Sequence, residues 1–359
     1  MNLYAVLMAG GVGTRFWPRS RAASPKQVLN ISGKETMIQA TTRRLEGLVE
    51  ASRTLIVTND IQQPIIQEQL PQLSRENFVI EPFGRNTAPC IGLAALQVAA
   101  QDPEGVMVVL PADHVIGGVD EFQAAIRFAA NFAFQNDAIV TLGITPYEPA
   151  TGYGYIQAGD TVAATDSHRL HKVLTFAEKP DLETANRFLD SGNFFWNSGM
   201  FIWKAATVLQ EIQRHLPEMH ALLMEIGEAI GAPDYRERLA DAYGRIQNIS
   251  IDYGIMQQAD SVYVIPADMG WNDVGSWETV HDISAKDRHG HAGECPEIVS
   301  IGSRNSYVYA PDKLVALVGV EDLIVVDTGD ALLVCRKSAA QDVKHVVDHL
   351  KKQGREDLL

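Results

Sequence analysis

The chain carries the sequence AGGVGTRFWPRSRAASPKQ at residues 9–27, directly after a short apolar run, Tyr4 to Met8. The apolar run is typical of a buried β-strand. The glycines that follow it let backbone N–H groups converge on phosphate oxygens without side chains in the way. Arg15 and Lys26 add positive charge to this loop. The segment therefore indicates a strand that leads into a binding loop for a polyphosphate.

Two other interpretations of this loop are weaker. A dinucleotide-binding turn needs G-x-G-x-x-G at the start of a helix, but Phe16 stands at the third glycine position and Pro18 prevents an immediate helix. This disfavours an oxidoreductase. A plain structural turn or a solvated basic face is the second alternative. Against it, residues 1–34 hold five cations and no Asp or Glu, in a chain of net charge −15, and glycines, prolines and Trp17 are interleaved with the cations.

Composition limits the class of protein. With 359 residues and 46% hydrophobic content, the chain can bury a large domain plus a smaller one. Its three cysteines, Cys90, Cys295 and Cys335, are far apart and form no C-x-x-C pair, which predicts reduced thiols in the cytoplasm rather than a disulfide framework or a zinc site. We expect no signal peptide and no membrane-spanning segment. The acidic net charge argues against nucleic acid or an anionic membrane as partner.

Short apolar runs alternate with helical patterns in the first half of the chain. The predicted strands are Tyr4 to Met8, Thr54 to Thr58, Phe78 to Ile80, Val106 to Leu110 and Ala138 to Leu142. The predicted helices are Met37 to Val49, Ile61 to Leu70, Ala88 to Ala100 and Phe122 to Phe134. This βαβ series predicts an α/β fold with a Rossmann-like, mostly parallel mixed sheet flanked by helices. In such sheets ligands bind beyond the carboxyl ends of the strands, where residues 10–26, 81–89 and 111–114 fall.

The rest of the chain is divided into two parts by its pattern. Further strands are predicted at Tyr155 to Gln157, Leu170 to Ala177, Met200 to Trp203 and Val262 to Ile265. We expect a first domain at residues 1–285 and a small C-terminal β domain at residues 286–359. The strands predicted in the second domain are Tyr307 to Tyr309, Val315 to Val318, Leu323 to Val326 and Leu332 to Cys335. A closing helix follows at about Ala339 to Lys352, and the strands could form either a short left-handed β-helix or a small barrel.

Six further motifs accompany the glycine-rich loop. They are EPFGRNTAP at residues 81–89, LPADH at 110–114, GYGYI at 152–156, FAEKP at 176–180, WNSGMF at 196–201 and GWNDVGSW at 270–277. Taken together and in this order, they resemble the nucleotidyltransferases that activate sugar 1-phosphates, and within them the mannose-1-phosphate guanylyltransferase branch. The resemblance extends from residue 3 to about residue 280.

The resemblance implies that GTP and mannose 1-phosphate react with the help of Mg²⁺ to give GDP-mannose and diphosphate. The attacking phosphate is already ionised near neutral pH, so no base is needed and catalysis depends on cations and in-line positioning. The implied catalytic residues are Arg15, Lys26, Asp113 and Asp273, of which Asp113 and Asp273 hold the metal. The implied nucleotide-binding residues are Ala9, Gly10, Gly11, Gly13, Thr14, Arg15, Lys26, Glu81, Arg85, Asn86, Thr87 and Asp113. The implied sugar-phosphate-binding residues are Gly152, Tyr153, Glu178, Lys179, Asn197 and Asp273.

Simpler roles exist for several of these residues. Asp113 could be a helix N-cap, Asp273 an ordinary loop residue and Lys179 a solvated cation. His114 is expected to pack near the site rather than bind Mg²⁺, which prefers oxygen ligands. The H-x-H formed by His289 and His291 is expected to be solvated. Three tryptophans are expected to line the core or the wall of the site: Trp196, Trp271 and Trp277.

Several alternatives stay open at this point. Longer members of the family continue into a cupin-type isomerase domain, but only about seventy residues follow Asp287, so isomerase activity is not expected. Guanylyl transfer to another manno-configured sugar phosphate, such as a heptose 1-phosphate, is the alternative within enzymes. A non-catalytic regulatory relative is the alternative outside them. A homodimer is the candidate assembly, and the C-terminal domain is expected to serve assembly or packing rather than chemistry.

Overall fold

The structure is a computed structural model that describes residues 1–31 and 33–359. Its strands are β1 (Leu3–Met8), β2 (Thr54–Thr58), β3 (Phe78–Ile80), β4 (Val106–Pro111), β5 (Val115–Ile116), β6 (Ile139–Ile144), β7 (Gly154–Ala164), β8 (Arg169–Glu178), β9 (Phe194–Lys204), β10 (Val262–Pro266), β11 (Trp271–Asn272), β12 (Ala292–Glu294), β13 (Glu297–Ile301), β14 (Tyr307–Tyr309), β15 (Leu314–Val318), β16 (Leu323–Asp327) and β17 (Leu332–Arg336). Its α-helices are α1 (Met37–Arg43), α2 (Gln63–Gln69), α3 (Thr87–Gln101), α4 (Val119–Asn136), α5 (Leu182–Ser191), α6 (Ala205–His215), α7 (Pro217–Glu228), α8 (Tyr235–Arg245), α9 (Trp277–Ile283) and α10 (Val343–Lys352).

Nine strands form the central sheet, in the order β3-β2-β1-β4-β9-β6-β10-β8-β7. β1 pairs in parallel with β2 and β4, and β6 pairs in parallel with β10. Only β8 and β9 run against the other seven strands, because each pairs antiparallel with its neighbours in the sheet. The predicted α/β class with a mostly parallel mixed sheet is confirmed.

The position of β9 was not predicted. It lies between β4 and β6, antiparallel to both, although it follows them in the chain. The sequence pattern found only its second half, Met200 to Trp203. The WNSGMF motif begins in the first half, and the position of β9 places this motif in the middle of the sheet.

Both faces of the sheet are covered, which explains why the first strands are continuously apolar. Along β1, Tyr4 and Val6 pack on the face with α3, α6 and α7, while Ala5 and Leu7 pack on the face with α1, α2 and α4. Burial on both faces removes the polar alternation of a half-exposed strand. None of the helices among the described residues is long and apolar enough to cross a membrane.

The C-terminal strands form parallel coils. β12, β14 and β16 form one parallel ladder and β13 and β15 form a second, so that Ala292, Tyr307 and Ile324 lie side by side on successive coils. β17 then returns antiparallel to β16. This arrangement is a short β-helix and not a barrel, and its left-handedness stays a prediction. One expectation was wrong: His291 is buried, because its ring bonds Ser300 Oγ and the Ser306 N–H, whereas His289 is exposed.

The C-terminal domain packs directly on the glycine-rich loop. Trp277 lies between Phe16 and Tyr307, with ring centroids 5.2 and 5.4 Å away. The Trp17 indole N–H donates to the carbonyl of Leu358 at 2.9 Å. Because aromatic contacts of this kind fix side-chain positions, the loop is held from behind by residues about 260 to 340 positions away.

The first coil of the β-helix gives a test of this domain. Gly293 has φ 135°, and a Cβ on it would lie 1.8 Å from the Val308 carbonyl oxygen of the next coil. We expect Gly293→Ala to lower the free energy of unfolding by on the order of 3 kcal/mol or more, since the clash is with backbone. Gly302 also has a positive φ but open space around it. Gly302→Ala should therefore cost only about 1 to 2 kcal/mol. Equal losses in denaturant unfolding would contradict the coil packing.

Candidate active site

The glycine-rich loop turns back on itself immediately after β1. Gly13 has φ 75° and begins a single 3₁₀ turn at Thr14–Phe16. A Cβ on Gly13 would lie 2.5 Å from Lys26 Cβ. The Lys26 N–H donates to the Val12 carbonyl at 3.1 Å. Glycine is therefore required at position 13 both for its backbone angle and for the close approach of Lys26.

A buried amide holds the other side of the loop, and the sequence analysis missed it. Gln27 Nε2 donates to the carbonyls of Ala9 at 2.7 Å and Gly11 at 3.1 Å. The Thr58 hydroxyl donates to the same Ala9 carbonyl at 3.0 Å. These bonds turn the carbonyls inward and leave Gly10 and Gly11 exposed. An amide directly after Lys26, in a loop that must fix its own backbone, was the available signal.

Lys26 lies at the centre of the candidate site. Its Nζ donates to Asp113 Oδ2 and to the main-chain oxygen of Asp273, both at 2.8 Å. The Lys26 side chain is 6% exposed and that of Asp113 is 35% exposed. Burial alone would raise the pKa of the Asp113 carboxyl, but the charge and hydrogen bond of Lys26, together with His114 and a backbone hydrogen bond, outweigh it and the pKa is lowered. Sequence reasoning assigned Lys26 to a triphosphate, and the structure adds that its ammonium already binds the carboxylate of Asp113.

A two-stranded ladder brings together the segments that carry the two predicted metal ligands, Asp113 and Asp273. β5 follows Asp113 and pairs with β11, which precedes Asp273. The Trp271 indole N–H donates to His114 Nδ1 at 3.1 Å. Burial lowers the pKa of His114 to about 4, so the ring is neutral near pH 7 and can accept this bond. His114 thus packs between the two segments.

Asp273 also faces a cleft of about 470 Å³. Its Oδ1 accepts a hydrogen bond from the Tyr153 hydroxyl at 2.9 Å, and burial together with this carboxylate raises the pKa of Tyr153. Arg15 and Gly152 line the same cleft. The structure therefore brings Arg15, Tyr153, Gly152 and Asp273 to one place, next to the Lys26–Asp113 pair.

The donor set of Asp113 and Asp273 fits a hard cation. The Lys26 ammonium bonds the carboxylate of Asp113 and the main-chain oxygen of Asp273, so the two aspartates lie on adjacent loops and both offer carboxylate oxygens as ligands. Among the described residues no group of three or more His, Cys, Asp or Glu could hold a metal ion. A site with two carboxylates suits Mg²⁺, which keeps several ligand positions for water and phosphate oxygens.

Predicted sugar-phosphate residues form a second polar group beside β7. Lys179 Nζ lies 2.9 Å from Glu178 Oε1. A Cβ on Gly154 would lie 2.5 Å from Glu178 Oε2, so glycine makes room for this carboxylate. Asn197 accepts from the Gly199 N–H at 3.1 Å and donates to Asp252 Oδ1 at 2.9 Å. Asp252 was missed, since a single Asp outside the matched motifs gives no signal in the sequence.

The predicted nucleotide-binding residues between Glu81 and Thr87 are divided between the site and the fold. Glu81 accepts a short hydrogen bond from the Tyr243 hydroxyl, and burial raises the pKa of Glu81 to about 7. Arg85 donates to the Gly244 carbonyl. Asn86 caps α3 by accepting from the Thr87 N–H at 2.9 Å, and the Thr87 hydroxyl accepts from the Ile251 N–H at 2.8 Å. In this structure the side chains of Arg85, Asn86 and Thr87 therefore hold the loop, and Glu81 is the acceptor beside Gly10.

A phosphate loop beyond β1, a lysine–carboxylate group at the next strand end and polar groups on either side define a nucleotide-dependent transferase. The Nucleotidyl transferase family matches residues 4–290, and the MannoseP isomerase/GMP-like beta-helix domain matches residues 296–350. The chain belongs to the nucleotidyl transferase family, within its group of mannose-1-phosphate guanylyltransferases.

Similar proteins cover nearly the whole chain. A mannose-1-phosphate guanylyltransferase of Escherichia coli K12 is 42% identical over 362 residues, which cover 99% of this chain and 75% of that protein. A crystal structure described as a mannose-1-phosphate geranyltransferase from Thermus thermophilus is 32% identical with a TM-score of 0.87, covering 98% of this chain and all of that one. A mannose-6-phosphate isomerase from Helicobacter pylori is 26% identical with a TM-score of 0.63, covering 76% of this chain and all of that one.

The Lys26–Asp113 pair can be tested by stability alone. Lys26→Met keeps the aliphatic stem but leaves Asp113 without its cation, so we expect the free energy of unfolding to fall by about 1 to 3 kcal/mol. Adding Asp113→Asn should restore part of this loss, because it removes the uncompensated charge. Denaturant unfolding of both single variants and the double variant measures the coupling. Strictly additive losses would contradict a direct pair.

Proposed function

We propose that this chain transfers a guanylyl group from GTP to mannose 1-phosphate, with release of diphosphate. The observation that carries the proposal is the Lys26–Asp113–Asp273 group at the end of the glycine-rich loop. The chain that holds this group is similar over 99% of its length to a protein named mannose-1-phosphate guanylyltransferase. The test is diphosphate release across the four common nucleoside triphosphates with mannose, glucose and heptose 1-phosphates. Release with GTP and mannose 1-phosphate should exceed every other combination.

The proposed chemistry requires positioning more than proton transfer. The sugar phosphate is an ionised nucleophile that attacks the α-phosphorus in line, and repulsion between two polyanions is the main barrier. The exposed backbone of Gly10 and Gly11 and the cation of Arg15 would bind the triphosphate. The Lys26 ammonium would stabilise charge that develops at the reacting phosphates. On the sugar side, Lys179 would bind the phosphate while Glu178 and Asn197 bind ring hydroxyls.

Glu81 supports guanine as the base. Guanine presents adjacent N1–H and N2–H donors, which one carboxylate can accept together, and the other common bases do not. Glu81 Oε1 is bound by Tyr243, while Oε2 lies 3.0 Å from where a Cβ on Gly10 would be. This contact supports a base seated over the exposed glycines with its donors toward Glu81.

Nucleotidyltransferases of this family generally act with a divalent cation. We propose Mg²⁺ for this chain, bound by Asp113 and Asp273. Bound there, the ion would supply positive charge at the reacting phosphates that a neutral ligand cannot supply. The oxygen-only donor set supports Mg²⁺ over metals that prefer nitrogen or sulfur.

The domain limits and the cellular setting are also proposals. Division at residues 285 and 286 is supported by family matches that end at 290 and begin again at 296. The aromatic contacts of Trp277 support a packing role for the C-terminal domain. A cytoplasmic location is supported by the three cysteines, which are unpaired in the structure. A homodimer stays a prediction, as does the absence of nucleic-acid and membrane partners.

Two alternatives are distinguished by the same assay. Transfer to a heptose 1-phosphate would give faster diphosphate release with that sugar than with mannose 1-phosphate. A non-catalytic regulatory relative would bind ligands without release. Two lysines are each paired with a carboxylate, Lys26 with Asp113 and Lys179 with Glu178. Their joint presence favours an enzyme over a non-catalytic relative.

Guanine recognition by Glu81 leads to a prediction about inosine triphosphate, which lacks the N2 amine. The wild-type protein should bind GTP about ten- to a hundredfold more tightly than ITP, as expected for a hydrogen bond to a charged group. In Glu81→Gln this ratio should fall toward one. Calorimetric Kd values for both nucleotides measure it.

The pH dependence of the same ratio provides the control. The pKa of Glu81 is about 7, so its carboxylate is ionised above that pH and accepts well, and it is protonated below it. The GTP-to-ITP ratio should therefore shrink as pH falls through about 7 in the wild type and stay flat in the Gln variant. Both nucleotides carry the same phosphates, whose ionisation cancels. An unchanged ratio in Glu81→Gln would refute the assignment.

Asp113 and Asp273 should act on the same ion. Asp113→Asn and Asp273→Asn are each expected to fold normally and to lose about 2 to 4 kcal/mol of transition-state stabilisation, the effect of losing one electrostatic stabiliser. The loss of transition-state stabilisation in the double variant should be far smaller than the sum of the two single losses, because both aspartates act through one ion. Steady-state rates over a Mg²⁺ titration measure this. Full additivity, or an unchanged Mg²⁺ dependence in either variant, would argue against a shared metal.

A further inference from the structure

Asp252 lies at a junction between the base side and the sugar side of the site. The Ile249 carbonyl accepts from the Ala88 N–H at 3.2 Å, and the Ile251 N–H donates to the Thr87 hydroxyl. Directly after these bonds, Asp252 begins a single π-helical turn, Asp252–Met256. Such turns are rare and are frequently found at functional sites. The segment that leads into Asp252 is therefore fixed to the first turn of α3, which follows the loop after β3.

The carboxylate of Asp252 faces the sugar-side residues. Asn197 Oδ1 accepts from the Gly199 N–H at 3.1 Å, and the Thr141 hydroxyl lies 3.3 Å from it while donating to the Met200 carbonyl at 2.9 Å. With its oxygen so occupied, Asn197 must present its NH₂ group to Asp252 Oδ1, at 2.9 Å. Among the described residues, no other side chain binds Asp252. One N–H of Asn197 and Oδ2 of Asp252 thus remain for a ligand.

The neighbouring charges are unusual for a purely structural contact. Glu178 is 9% exposed, and its nearest cation, Lys179, is 58% exposed. Burial, and then the charge of Glu178, raise the pKa of Asp252 to about 6. Lys179 holds φ 48°, a costly backbone angle for a residue with a side chain. The nearly buried carboxylate of Glu178 and the half-buried carboxylate of Asp252 are costly beside one amide unless donors reach them, and vicinal hydroxyls are such donors.

We propose that Asp252 is a sugar-binding residue whose free carboxylate oxygen accepts a hydrogen bond from one ring hydroxyl of the hexose 1-phosphate. The proposal rests on the proposed function, since it needs a sugar phosphate at this site. In this role Asp252 is a specificity residue, because its carboxylate can bind a sugar hydroxyl only at one ring position. The phosphate-binding groups do not contact that hydroxyl.

The alternative is that Asp252 only orients Asn197. A thermodynamic cycle that combines a substitution at Asp252 with removal of single sugar hydroxyls distinguishes direct sugar contact from orientation of Asn197. Binding of mannose 1-phosphate and its 2-, 3-, 4- and 6-deoxy analogues is measured by calorimetry for the wild type and for Asp252→Asn. Direct contact predicts that one deoxy analogue weakens wild-type binding about tenfold or more and weakens Asp252→Asn binding much less. The other deoxy analogues should lose the same amount of binding affinity in the wild type and in Asp252→Asn.

Equal losses for every analogue in both proteins would overturn the inference and leave Asp252 as a positioning residue. Asp252→Asn should retain the wild-type melting temperature and GTP affinity; if it does not fold, Asp252→Ser is used in the same cycle. Asp260→Asn is the matched control, an exposed carboxylate eight positions on that should change nothing. If the wild type binds another hexose 1-phosphate in place of mannose 1-phosphate, the proposed function fails, and the deoxy series of that hexose decides the inference.

Discussion

The site depends on the hydrogen bonds that the Lys26 ammonium donates to Asp113 and Asp273. This ammonium joins three segments that are far apart in the chain, since Asp113 is 87 positions and Asp273 is 247 positions from Lys26. A buried cation is tolerated only when its partners are well placed, so all three segments must reach their positions together. The closed form of the glycine-rich loop follows from this, because Gly13 is pressed against the stem of the same lysine.

The fold was predictable where local pattern determines it. Continuous apolar runs such as Tyr4 to Met8 indicated strands buried on both faces, and the motifs fell at strand ends because loops there carry the chemistry. The place of β9 between β4 and β6 was not predictable, since strand order depends on packing between distant segments. The contact of Trp277 with Phe16 and Tyr307 was hidden for the same reason.

Site prediction from sequence gave residues one at a time, and the structure gives their partners. Lys26, Asp113 and Asp273 were each named, but no pattern in the chain indicates that one ammonium bonds both segments. Arg85, Asn86 and Thr87 were named for the nucleotide, and the structure shows that their side chains bond Gly244 of α8, the first turn of α3 and the N–H of Ile251. Asp252 lies outside every motif, and Gln27 ends the glycine-rich motif with its place after Lys26 as the available signal. The convergence of side chains in space identifies the role of each.

The C-terminal domain helps to hold the glycine-rich loop in place, an effect that the sequence of the domain did not suggest. A glycine-rich loop is flexible by itself, and a flexible loop would spend binding energy on ordering its N–H groups around an anion. Here Trp277 and Tyr307 pack behind Phe16, and Arg19 lies 3.9 Å from the centre of the Tyr309 ring. The rigidity that an anion site needs is thus supplied from outside the loop. A C-terminal domain can in this way preorganise the groups that we propose bind the triphosphate.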